Sequence, residues 1–134
     1  MDRTINHLNG LTLAYVGDAV YELYIRQYLI RRGIVKPNDL HQAAIKFVAG
    51  KAQAKIVYHF LAKDLLTDDE KRIVLRGRNA KSASIPKNIS VQDYRHSTGF
   101  EALLGYLYLL DDESRLLQLL KDAVRFIERN GSNE

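Results

Sequence analysis

Apolar residues recur at helical spacing along most of the chain, and the period-two alternation that marks strands is scarce. In residues 11–32, Val16, Val20 and Leu23 follow one another at helical intervals, and Gly33 is placed to close the helix as its C′ residue. Pro37-Asn38-Asp39 predicts a second start, with Asn38 as cap, leading into Leu40, Ala43, Ala44, Phe47 and Val48. Gly50 breaks or bends the path before Ile56, Val57, Phe60 and Leu61. Thr67-Asp68-Asp69-Glu70 has the form of a capping box opening a helix that runs to Gly77. Residues 78–89 are a polar loop, and Ser90 with Asp93 forms a second possible box before Leu103, Leu104, Tyr106, Leu107 and Leu110. Asp111-Asp112 interrupts the pattern, and a last amphipathic helix carries Leu116, Leu117, Leu120, Val124 and Ile127 up to Asn130-Gly131. The expectation is an all-α fold of about five to seven helices.

Composition narrows the picture. A chain of 134 residues, 46% hydrophobic and 27% charged, fits one domain spanning residues 1–134. Cysteine is absent, which excludes disulfides and thiolate metal sites. Asp2, Arg3, Asn6 and His7 stand where a signal peptide needs an apolar run, and nothing approaches a membrane span, so a cytoplasmic protein with no membrane partner is expected. The net charge is +4, and it is unevenly spread. Lys71, Arg72, Arg76, Arg78, Lys81, Lys87 and Arg95 face only Asp93 between positions 71 and 96. Such a concentration fits a polyanion, or equally a solvated basic loop.

Two segments carry candidate chemistry. In Tyr15-Val16-Gly17-Asp18-Ala19-Val20, an aspartate sits among apolar neighbours, where its charge needs a partner: a metal ion, a backbone hydrogen bond or Arg26. Glu22 lies one turn further on the same side. In the second segment Asp93, Ser97 and Glu101 share a face if the helix starts at Ser90, and Glu101 leads the most apolar stretch of the chain, which would bury its carboxylate. Alternatively Thr98 caps a later start and Glu101 is its capping-box partner. His7, His41, His59 and His96 are scattered, so no Ser-His-Asp or Cys-His arrangement competes, although His96 is near Glu101.

Gly17-Asp18-Ala19-Val20 after an aromatic-hydrophobic pair resembles the ribonuclease III signature. Phe100-Glu101-Ala102-Leu103-Leu104-Gly105, followed by Tyr106-Leu107-Tyr108-Leu109, resembles that family's second acidic motif, in the right order and at a fitting separation. The stretch Leu75-Arg76-Gly77-Arg78-Asn79-Ala80-Lys81-Ser82, on a chain without room for a double-stranded-RNA-binding domain, points to the Mini-III branch. The resemblance implies a homodimeric helical bundle whose signature helices pack together. It also implies catalytic, metal-holding roles for Asp18 and Glu101, Mg²⁺ as cofactor, and cleavage of double-stranded RNA to 5′-phosphate and 3′-hydroxyl ends. Its members trim large-subunit ribosomal RNA precursors, which leaves room for a ribosomal protein as accessory. The pattern departs from the family at Ala14 and Thr98, where carboxylates are usual. Water, substrate phosphate, Glu22 or Asp93 could complete the metal shell, since Mg²⁺ commonly takes one or two protein carboxylates.

Double-stranded RNA is read through phosphates and 2′-hydroxyls, so Arg76, Arg78, Lys81 and Lys87 are the expected RNA-binding residues. Lys46, Lys51 and Lys55 are either further contacts or solvated helix surface. The rival expectation is a non-catalytic RNA-binding or ribosome-associated protein on the same fold, and a helical dimerisation module is a third.

Overall fold

The computed structural model describes residues 2–81 and 84–131, and among them it contains seven helices and no strand. The expected all-helical architecture is present. These are α1 (Asp2–His7), α2 (Gly10–Arg31), α3 (Pro37–Val48), α4 (Gly50–Ala62), α5 (Asp68–Arg78), α6 (Val91–Leu109) and α7 (Glu113–Gly131). Met1 and Ser82, the side chains of Asp2 and Arg3, and the expected stop after Asn130-Gly131 lie outside the described part. Among the described residues, no helix is long and apolar enough to cross a membrane.

Local chemistry explains most of the boundaries. Asn9 caps α2 by accepting from the Thr12 N–H at 2.8 Å. Thr67 and Glu70 form the reciprocal capping box of α5, as the sequence predicts. Gly33 closes α2 at φ 96°, and Asp64 and Asp111 take the same left-handed position after α4 and α6. In all three the next N–H reaches back over the helix end: Ile34 to Leu29, Leu65 to Phe60, and Asp112 to Leu107.

Gly50 marks the expected break, with α3 ending at Val48 and α4 beginning at Gly50. Two expectations change. Lys36, not Asn38, is the residue before α3, because Pro37 takes the first helical position, where its missing N–H costs nothing. Thr98 lies inside α6, its hydroxyl donating to the Tyr94 carbonyl, so the helix starts at Ser90 and the later-start reading with a Thr98–Glu101 box is wrong.

Helix α6 is the central element, packed against α2, α4, α5 and α7. Its Phe100, Leu103, Leu104 and Leu107 join Tyr21, Ile25, Phe47, Ile56 and Phe60 in the main core. Glycine allows α2 and α6 to touch backbone to backbone. A Cβ on Gly17 would lie 1.6 Å from the Glu101 carbonyl oxygen, and one on Gly105 would lie 1.9 Å from that of Leu13. The glycines of the two sequence motifs are therefore the crossing point, and each motif's carboxylate stands beside it.

Candidate active site

Asp18 follows Gly17 on α2, and Glu101 is the residue whose carbonyl Gly17 contacts. Both line one cavity of about 410 Å³ with Ala49, Gly50, Lys51 and Gln53 at the start of α4, residues Pro86, Asn88 and Ile89 of the loop, and Tyr94 and Ser97 of α6. Gly50 matters here because the Ile89 side chain lies where its Cβ would be, 2.6 Å away, which lets the loop settle over the cavity.

The two carboxylates differ in setting. Asp18 is exposed, contrary to the expectation that its apolar neighbours would desolvate it, because Tyr15 and Ala19 beside it on α2 are themselves exposed. Glu101 is partly buried, as expected. Burial first, then the charge of Asp18 and a hydrogen bond shared with it, push the Glu101 carboxyl up to about 8, while a hydrogen bond from Gln53 works the other way. The pair therefore holds a proton at neutral pH when no cation is present.

Other candidates are placed elsewhere. Arg26 pairs with Glu22 at 3.7 Å, which leaves it no role as partner of Asp18. Glu22 lines a different hollow, beside α3. Asp93 accepts from the Tyr58 hydroxyl at 2.8 Å and does not line the cavity. Ala14 packs with Leu13, Ile73 and Ala102, and Thr98 is buried within α6, so neither leaves a gap shaped for a carboxylate. Among the described residues, no group of three or more His, Cys, Asp or Glu side chains could hold a metal. His96 is buried, with Nδ1 at 2.8 Å from the Gln92 carbonyl and its ring against Tyr58.

The basic residues divide. Arg76 and Arg78 belong to the last turn of α5, one residue beyond the expected helix end, and not to the loop. The Arg76 guanidinium donates to the carbonyls of Asn6 and Leu8, tying α5 to the end of α1. With Lys81 it lines a separate hollow formed by residues 6–11. Lys87 is exposed between the cavity-lining Pro86 and Asn88. Lys46 is paired with Glu128, whereas Lys51 lines the carboxylate cavity itself.

Gln53 was not foreseen. Its position was legible as a polar side chain in the apolar stripe of α4, three, four and seven residues before Ile56, Val57 and Phe60. It is buried, its Nε2 donates to the Val48 carbonyl at 3.1 Å, and its Oε1 has no partner.

The chain is thus an all-helical domain in which two carboxylates meet at a helix crossing, in a cavity edged by a lysine. Residues 11–112 match the sequence profile described as Ribonuclease III domain. The chain is 49% identical over 123 residues to Mini-ribonuclease 3 of Enterococcus faecalis, covering 92% of this chain and 93% of that one. It is 50% identical over 122 residues to Mini-ribonuclease 3 of Symbiobacterium thermophilum, covering 91% and 92%. A crystal structure of a Fusobacterium nucleatum protein superposes with a TM-score of 0.79 at 30% identity, over 90% of this chain and 95% of that one. The chain belongs to the ribonuclease III family, with the short Mini-ribonuclease 3 proteins as its relatives, and is an endoribonuclease of that family.

Proposed function

We propose that the protein is a Mg²⁺-dependent endoribonuclease that cuts double-stranded RNA as a homodimer, leaving 5′-phosphate ends, in the cytoplasmic maturation of the large-subunit (23S) ribosomal RNA precursor. The observation that carries this reading is the meeting of Asp18 and Glu101 at the Gly17–Gly105 crossing, in a cavity edged by Lys51.

The donor set fits a hard divalent cation. It consists of carboxylate oxygens with no sulfur or imidazole, and the Glu101 carboxyl is raised by burial first and then by the charge of Asp18, both of which a cation would offset. Members of the family generally use a divalent metal. Bound there by Asp18 and Glu101, Mg²⁺ would supply a polarised water and offset charge on the reacting phosphate. The chain's own part is to hold that centre and the RNA. Glu101 gives up its proton to become a ligand, and Asp18 presents its carboxylate at the open side. Lys51 and Lys87 draw a phosphate toward the cavity, and Arg78 and Lys81 extend the basic surface along which a duplex would lie. Two carboxylates suffice because Mg²⁺ keeps waters and takes substrate oxygens as further ligands.

The dimer has support on α2. Leu11, Tyr15, Ala19 and Leu23 recur every fourth residue and are all exposed, Tyr15 by 82%, and this apolar stripe adjoins Asp18. A second copy of the same stripe would cover it. Incubation of the purified protein with plain duplex RNA, with and without Mg²⁺, tests the reading. Cleavage is expected only with Mg²⁺. Duplex binding without cleavage at any Mg²⁺ concentration would favour the non-catalytic RNA-binding protein instead.

A further inference from the structure

Gln53 stands out among the residues the reaction has not used. It enters the cavity from α4, which contributes no carboxylate, while its neighbours at helical spacing, Ile56, Val57 and Phe60, are fully buried apolar residues. Only 3% of Gln53 is exposed. Its amide is held through Nε2, which donates to Val48, whose carbonyl sits just before the α3–α4 junction, and also toward Glu101. That bond fixes which way the amide points and leaves Oε1 as one of only two buried side-chain polar atoms without a partner among the described residues. Buried acceptors nearly always have partners, so an anchored amide with an unused oxygen beside two carboxylates calls for a donor that arrives with a ligand. A hydrated cation brings such donors, because the waters on Mg²⁺ direct their hydrogens outward.

We infer that Gln53 is a third, neutral oxygen of the divalent-cation centre, accepting a hydrogen bond from the cation's water shell through Oε1. It thereby supplies polar contact where the positions of Ala14 and Thr98 supply none. Neutrality suits the place. An amide oxygen adds an acceptor beside Asp18 and Glu101 without adding a third negative charge. The inference rests on the proposed reading of Asp18 and Glu101 as the metal site.

The test compares wild type with Gln53→Leu, Gln53→Glu and Asp18→Asn. The readouts are the rise in melting temperature on titration with Mg²⁺ or Mn²⁺, duplex binding in EDTA, and the Mg²⁺ midpoint of cleavage. Gln53→Leu is expected to keep its helical circular dichroism and its duplex binding in EDTA, and to raise the metal midpoint about tenfold, as loss of a group orienting a metal shell typically does. Saturating Mg²⁺ should restore most of its cleavage rate. Gln53→Glu keeps an acceptor beside the carboxylates but loses the Nε2 bond to Val48, and should show a midpoint below that of Gln53→Leu. A Gln53→Leu protein destabilised in EDTA but with an unchanged midpoint would make Gln53 a packing residue and overturn the inference alone. Should Gln53→Leu not fold, Gln53→Met, which fills the same space without an amide oxygen, takes its place, and an unchanged midpoint in it would count against the role. If wild type itself shows no metal-dependent shift, the metal-site reading falls and this inference falls with it.

Discussion

At the residue scale, the proposed chemistry turns on two carboxylates in unlike surroundings. Asp18→Asn is expected to abolish cleavage, while circular dichroism and duplex binding in EDTA stay close to wild type, because the substitution removes a ligand without changing shape. Full activity in that variant would remove Asp18 from the site. Glu101 adds a pH signature. Its carboxyl lies near 8 in the metal-free protein, against an ordinary 4.5, so between those values the folded chain holds a proton that the unfolded chain has released. Its contribution to stability is therefore fully present at low pH and is lost as the pH rises through about 8. In EDTA, the melting temperature of Glu101→Gln should fall less than that of wild type across that window. Metal uptake below pH 8 should release about one proton, so affinity should rise about tenfold per pH unit. Calorimetry in buffers of different ionisation enthalpy reads that proton directly. The sequence announced both residues, Asp18 and Glu101, through their motifs. It did not announce their difference, because the apolar neighbours of Asp18 include Tyr15 and Ala19, which are exposed with it.

At the scale of elements, the site is a consequence of how α2 crosses α6. Gly17→Ala should destabilise the protein by about 3 kcal/mol or prevent folding, since the added methyl would have to enter the backbone of α6 rather than displace a flexible side chain. A urea melt measures this, and a change within about 0.5 kcal/mol, the range typical of neutral surface substitutions, would show that the crossing can relax. The elements themselves were largely readable. Periodicity located the long helices, and Thr67 to Glu70 and Gly33 marked ends that the structure keeps. The misreadings share one cause. Asn38 and Thr98 each have the side chain of a cap, but Pro37 fixes the first turn of α3 two residues earlier, and Ser90 opens α6 two turns earlier by accepting from the Asp93 N–H. Competition between adjacent capping residues depends on where the rest of the helix packs, which a local pattern does not carry. Gln53 was passed over for a related reason. A polar residue in an apolar stripe signals a buried function only when its surroundings are known.

For the whole molecule, the question is how charge and symmetry present the site to RNA. The basic residues between positions 71 and 96 suggested one binding surface, yet the structure distributes them. Lys87 flanks the carboxylate cavity, whereas Arg76 is engaged with the carbonyls of Asn6 and Leu8. Replacing Lys51 and Lys87 together by alanine should lower the slope of log affinity against log salt by about two. Arg76→Ala should change melting temperature more than salt dependence. Equal slopes for wild type and the double variant would mean that neither lysine touches phosphate.

The claim that joins these scales is that each subunit carries one complete Asp18–Glu101 site, and that a symmetric pair of subunits cuts the two strands of a duplex. Hybrid dimers of wild-type and Asp18→Asn subunits, purified through different tags and given a duplex labelled on both strands, test it most directly. A single nick in each duplex encountered is predicted, where wild-type dimers sever both strands. Hybrids that cut both strands in one encounter, or neither, would contradict one independent site per strand.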